Sequence, residues 1–259
     1  MRRPLAFILA FLLASFAGLN LAQTERAATS VNLAGEQRML SQRIANLYIQ
    51  TGINVMPALA KRQLSLATQR FEGNLVALKP VVAGSPEAKR AYERLGGEWL
   101  GLKKAASVAV SRDAAVALSS RAETTLAAAE DLTRALEGES KSAAGRLVNL
   151  AGRQRMLSQR IAKNYLLRSW GVDSSEVQQE LESAAKDFSA GLAKLRANEG
   201  NSADIRSELD EVAQQWEWLQ ASMSVDGASY YRLIVAESAD AILEASDRIT
   251  RLYESQNHR

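Results

Sequence analysis

Two arginines, Arg38 and Arg155, stand at the same place in two nearly identical segments. VNLAGEQRMLSQRIA runs from Val31 to Ala45, and VNLAGRQRMLSQRIA from Val148 to Ala162. Of the 15 positions 14 agree, and only Glu36 against Arg153 differs. Packing alone does not demand such identity, because cores accept swaps of similar volume. Arginine is the residue in the segment with the most specific chemistry. Its guanidinium stays charged, is planar, and donates in forks that match carboxylates and planar oxyanions.

Placed on a helix, each segment has two faces. Leu33, Leu40, Ile44 and Leu47 form one apolar stripe, suited to the core of the unit that carries them. Ala27, Val31, Ala34, Arg38, Ser41 and Ala45 follow alternating four- and three-residue steps, a heptad seam. Ala144, Val148, Ala151, Arg155, Ser158 and Ala162 repeat it. Arg38 and Leu40 lie about 200° apart around the axis, so the seam points away from its own core. Small side chains let two such helices approach closely. If the two seams meet, the guanidinium groups face one another; at about 6 Å their repulsion is on the order of 3 kcal/mol in a medium of intermediate dielectric. A planar oxyanion between the two forks reverses that sign. The competing reading is an arginine that snorkels to the edge or pairs with a carboxylate.

Neighbouring residues extend the candidate site. Arg43 and Arg160 border the core face, where they either pair with acids of adjacent helices or add positive potential to the same site. Asn32 and Asn149 are placed to hydrogen-bond across helices. Gly35 and Gly152 each cost about 1 kcal/mol inside a helix, so close approach is the expected reason for them. Trp99 and Trp216 read as core.

The elements that position these residues are themselves duplicated. A shift of 117 residues places Tyr48 on Tyr165, Phe71 on Phe188, Leu78 on Leu195 and Trp99 on Trp216. It also places Glu130, Thr133, Arg134 and Glu137 on Asp247, Thr250, Arg251 and Glu254. Each unit is rich in Ala, Leu, Glu, Gln, Arg and Lys and lacks strand alternation, so it reads as helix throughout. Breaks are expected at Gly52–Pro57, Pro80–Pro86, Asn198–Asn201 and Ser224–Gly227. Ser85-Pro86-Glu87 reads as a helix start, and Asp173-Ser174-Ser175-Glu176 as a capping box with Asp173 as the cap. The expected fold is all-α: two tandem up-down four-helix bundles, over residues 24–138 and 141–257. The join from Glu137 to Ser142 has one glycine and no proline, which permits one long connecting helix. Side-by-side bundles would bring Arg38 and Arg155 together within one chain; end-to-end bundles would need a second chain.

Composition removes several classes of function. There is no cysteine and one histidine, His258 near the C-terminus, which leaves no basis for a zinc site or a histidine-based triad. No nucleophile–base pair, metal-ligand cluster or glycine-rich phosphate loop stands out, so neither an enzyme nor a cofactor is expected. A net charge of +3 without a basic block argues against nucleic acid. Residues 1–22 combine Arg2, Arg3 and an apolar run, which reads as a signal peptide or as an uncleaved anchor. Either implies that the remainder is exported to the periplasm, soluble or anchored in the inner membrane. Nothing after Gln23 is apolar enough to span a membrane, so no cytoplasmic output domain is expected to follow.

NLAGxQRMLSQRIA resembles the first-helix motif of the PilJ/NarX-type sensor domain, the N-terminal domain of type IV pili methyl-accepting chemotaxis transducers. The resemblance covers nearly all of the exported chain, as two copies. It implies a periplasmic four-helix bundle, commonly dimeric. In nitrate- and nitrite-sensing members, it implies a ligand held between the first helices of two subunits by an arginine from each. Carried over by motif position, that arginine is Arg38 and Arg155; Arg43 and Arg160 match the motif's later arginine. Sensor members continue through a second membrane helix into a signalling domain, whereas this chain ends at Arg259. Two functions are therefore expected as rivals. One is a non-enzymatic binding protein for a small oxyanion, nitrate or nitrite. The other is a ligand-free helical module that dimerises or docks onto a membrane chemoreceptor, a sensor kinase or a pilus-associated system.

Overall fold

The computed structural model describes the backbone of residues 5–140, 143–223 and 229–256, and side chains over residues 29–137, 145–223 and 230–256. Among the described residues there are eight α-helices and no strand: α1 (Leu5–Gly52), α2 (Pro57–Leu78), α3 (Pro86–Ala106), α4 (Arg112–Ser140), α5 (Ala143–Ser169), α6 (Ser175–Arg196), α7 (Ala203–Met223) and α8 (Ser229–Gln256). The chain is all-α, with two tandem four-helix bundles. The join at residues 141–142, the turn expected at Ser224–Gly227 and His258 lie outside the described residues. So do the side chains of residues 1–22, Ala27 and Ala144. Among the described residues, no helix is long and apolar enough to cross a membrane.

Local chemistry sets the helix boundaries. After α1, Asn54 and Met56 take left-handed φ values of 58° and 43°, and Pro57 then opens α2. Pro80 precedes a single 3-10 turn, Val81–Gly84. The Ser85 Oγ accepts from the Ala88 amide at 3.2 Å, with Pro86 in the first turn and Glu87 at the positive helix end. The start of α6 corrects the expected cap by one residue. Ser174, not Asp173, has the extended cap conformation, and its Oγ accepts from the Val177 amide at 3.3 Å. The break between α3 and α4, at Ser107–Ser111, contains neither glycine nor proline; the Ser111 Oγ caps the Ala114 amide at 3.1 Å.

In the first unit α1 packs along α2 and α4, and α3 along α4; the second unit repeats this with α5, α6, α8 and α7. The two bundles lie side by side, with α1 and α5 along each other at the centre and α4 and α8 flanking them. That arrangement buries α1 on nearly every side from Val31 to Gln50, and α5 from Val148 to Leu167. Away from this seam each unit has an aromatic core. Phe71 stacks on Trp99 with ring centres 4.1 Å apart, and Phe188 meets Trp216 at 4.5 Å.

Candidate functional site: an arginine pair between the central helices

Because the two seams face each other, Arg38 and Arg155 both lie inside the α1–α5 contact, at 0% and 2% exposure. Their surroundings are reciprocal. Arg38 Nη1 donates to Glu130 Oε2 of α4 at 2.8 Å, and its Nη2 to Asn149 Oδ1 of α5 at 2.6 Å. Arg155 Nη1 donates to Asp247 Oδ1 of α8 at 2.6 Å, and its Nη2 to Asn32 Oδ1 of α1 at 2.5 Å. Each arginine thus holds a carboxylate of its own unit and reaches across to the asparagine of the other. The remaining donor of each, Nε, is buried with no protein acceptor.

The glycines make room for this. A Cβ on Gly35 would stand 3.0 Å from Arg38 Nη2. One on Gly152 would stand 3.1 Å from Arg155 Nη2 and 3.7 Å from Arg38 Nη2. Both guanidinium groups therefore flank a single glycine. Ser41 and Ser158 each turn their hydroxyl back onto the carbonyl of Arg38 or Arg155.

A second layer of acids stands behind the asparagines. Asn149 Nδ2 donates to Glu137 Oε2 at 2.6 Å, and Glu254 is hydrogen-bonded to Asn32. Glu130 also accepts from Arg153 at 3.4 Å, and Asp247 pairs with Arg251 at 2.7 Å. The electrostatics divide these acids in two. Burial pushes the Glu130 carboxyl up, but Arg38 and Arg153 overcome it and hold the group below its ordinary range. For Glu137 and Glu254 burial wins over the nearby arginines and asparagines, and both carboxyls sit above that range. Burial also draws the Arg38 guanidinium down, against the pull of Glu130, with Arg153 and Arg155 adding like-charge repulsion.

Arg43 and Arg160 stand in a different layer. Arg43 Nη1 and Nη2 clasp Asp240 of α8 at 2.6 and 3.2 Å, and Arg160 Nε and Nη2 clasp Glu123 of α4 at 3.1 and 2.7 Å. Both bridges run from the first helix of one unit to the fourth helix of the other. Lys163, fully buried, adds a contact to Glu123 at 2.5 Å and one to Glu180 at 3.4 Å. Of the two readings open for these arginines, the structure places them in interhelical ion pairs. The motif's later glutamine ties the first helix to the fourth of its own unit. Gln42 and Gln159 donate to the carbonyls of Ala122 and Ala239, at 3.1 and 3.2 Å.

The one difference between the two segments is matched on a neighbouring helix. Glu36 accepts from Arg70 Nε at 3.0 Å, whereas Arg153 pairs with Asp187 at 3.3 Å. Arg70 and Asp187 are themselves equivalent under the 117-residue shift. The pair has been exchanged as a unit, acid for base on both helices.

Residues 19–131 and 139–249 each match the family described as type IV pili methyl-accepting chemotaxis transducer N-term, PilJ. The chain belongs to the PilJ family. No curated protein and no solved structure matches it. This family is one of chemoreceptor sensory domains rather than of enzymes. Among the described residues, no group of acidic, histidine or cysteine side chains is placed to hold a metal ion. In PilJ terms, the first helices of two units face each other here within one chain. The inner acids Glu130, Glu137, Asp247 and Glu254 are the site residues that reading the segment alone misses. Their signal is in the sequence: two acids seven residues apart recur in register in both copies of the fourth helix, which puts them on one face.

Proposed function

We propose that this chain is an exported, non-enzymatic sensory protein that binds a small planar oxyanion, nitrate or nitrite, between Arg38 and Arg155. The observation that carries the reading is the convergence of both Nη2 atoms on Gly152, with two buried Nε donors left over. The Oδ1 atoms of Asn32 and Asn149 occupy the acceptor positions that two oxyanion oxygens would take. Exchanging them for an anion supplies the charge that a buried arginine pair favours. Asn32, Asn149, Gly35 and Gly152 shape the site, while Arg43 and Arg160 fix the spacing of α1 and α5. On this reading the two units, residues 24–138 and 141–257, work in the periplasm. They pass the occupied state to a membrane chemoreceptor or sensor kinase.

Thermal unfolding of the full chain with sodium nitrate, nitrite, sulfate or chloride tests this. A ligand at about 100 times its Kd stabilises by about 2.7 kcal/mol, which raises Tm by several degrees at this size. A shift with nitrate or nitrite and none with chloride supports the reading; no shift with any anion removes it. The rival is a ligand-free interaction module. It draws on a specific observation: each arginine already has a carboxylate partner, so its charge is compensated without a ligand. It expects anions to change nothing and a membrane receptor to be the partner.

A further inference from the structure

An oxyanion entering between the arginines meets carboxylates as well as guanidinium groups. Glu130 and Glu137 face it from α4, and Asp247 and Glu254 from α8. Against them stand Arg38 of α1, Arg153 and Arg155 of α5, and Arg251 of α8. Arg146 of α5 and Arg134 of α4 act from the exposed edge, Arg134 already paired with Asp131. The two buried arginines, Arg38 and Arg155, face four carboxylates, so a proton on one of these offsets the added negative charge. Glu130 is a poor place for it, because Arg38 and Arg153 hold its carboxyl below the ordinary range. Glu137 and Glu254 reach the two buried arginines through an asparagine, and Glu254 Oε1 is buried without an acceptor or donor partner.

We infer that Glu137 and Glu254 couple anion binding to proton uptake, so that the site takes a monovalent oxyanion together with a proton. This rests on the oxyanion reading above. With Glu137 ionised, its Oε2 holds the Asn149 Nδ2, which turns Oδ1 onto Arg38. A proton from solvent on Oε2 makes the carboxyl a donor. It can then bond to Oδ1 of an Asn149 amide turned over by half a rotation. That rotation frees Arg38 Nη2 and points Nδ2 at the incoming anion. Glu254 and Asn32 can do the same for Arg155, so that one proton, on either glutamate, accompanies one anion. No covalent bond forms or breaks except the O–H on the glutamate. Both carboxyls already sit above their ordinary range, and an added anion raises them further.

The test is calorimetric titration of the full chain with sodium nitrate, from neutrality down into the carboxylate range, in buffers of differing ionisation enthalpy. The expected result is affinity that rises as pH falls, by up to about tenfold per pH unit for one linked proton, with proton uptake measured directly. The Glu137→Gln, Glu254→Gln double variant carries neutral donors in place of both carboxyls. It should bind nitrate with a pH-independent affinity near the acid value of the natural chain and take up no proton, with helical content unchanged by circular dichroism. Nitrate bound equally at every pH, a pH slope that survives in the double variant, or a folded double variant that no longer binds would each overturn the inference and leave the clamp standing. Should the double variant not fold, the proton count of the natural chain decides alone. Nitrate binding at no pH would remove the oxyanion reading and this inference with it.

Discussion

At Gly152 the two guanidinium groups and the α5 backbone fill the space that a side chain would need. Alanine there gains about 1 kcal/mol of helix propensity but puts a methyl 3.1 Å from Arg155 Nη2 and 3.7 Å from Arg38 Nη2. Only the tips of two long side chains must move, so Gly152→Ala should leave Tm unchanged or higher while weakening nitrate binding at least tenfold. Thermal unfolding and calorimetry on the same sample check both halves. The acids carry a prediction of the opposite kind. The Glu130 carboxyl is held below its unfolded value, burial opposing and Arg38 and Arg153 prevailing; the Glu123 carboxyl is likewise held down, burial opposing and Lys163 and Arg160 prevailing. A group with a lowered folded pKa contributes stability above its unfolded pKa and loses it as pH falls through the folded one. Acid titration followed by circular dichroism should therefore show stability falling below the ordinary carboxylate range, and Glu130→Gln should flatten part of that fall. At this scale the arginines were legible because a duplicated segment keeps them in a seam of small residues. Their acid partners Glu130 and Asp247 recur in register under the same shift, but which arginine each one holds depends on how α4 and α8 pack against α1 and α5, which the segment alone does not give.

Between elements, Arg43–Asp240 and Arg160–Glu123 cross from one unit to the other and set how α1 and α5 lie together. Glu123 neutralises both Arg160 and the fully buried Lys163, so Glu123→Ala leaves one cation under-compensated in the interior. A cost of about 3–5 kcal/mol is expected, read from urea denaturation, since breaking a buried pair costs more than the pair itself contributes. At the far end of the same contact Gly52 of α1 lies against Trp170, where a Cβ would come within 2.1 Å of the ring. Gly52→Ala should cost about 1–3 kcal/mol, because an indole cannot slip aside as an arginine tip does. The helices themselves were readable from composition and from Pro57, Pro80 and Pro86. Ser107–Ser111 was not, because serine capping ends one helix and starts the next without glycine or proline. The α6 cap was misplaced by one residue because Asp173 and Ser174 carry equal capping chemistry, and only backbone geometry chooses between them.

For the whole molecule, the duplication supplies internally what a pair of chains would otherwise have to assemble. A heptad seam of small residues is satisfied equally by a partner chain or by a sister unit, so sequence patterning leaves the side-by-side and end-to-end arrangements open. The structure puts α1 on α5, burying Val31, Ala34, Ser41 and Ala45 together with Val148, Ala151, Ser158 and Ala162 inside one chain. The chain should therefore be monomeric by light scattering at concentrations where it binds ligand, with Ala34→Leu and Ala151→Leu destabilising the fold rather than changing the oligomeric state. On the proposed clamp, the two reciprocal half-sites make one ligand position. Equilibrium dialysis of the full chain against labelled nitrate, beside the Arg38→Ala and Arg155→Ala variants, puts the arginine clamp to the sharpest trial. Saturation at one nitrate per chain is expected, lost in both variants while helical content is retained. Undiminished uptake in the two variants, or none by the natural chain at any pH, would refute the clamp.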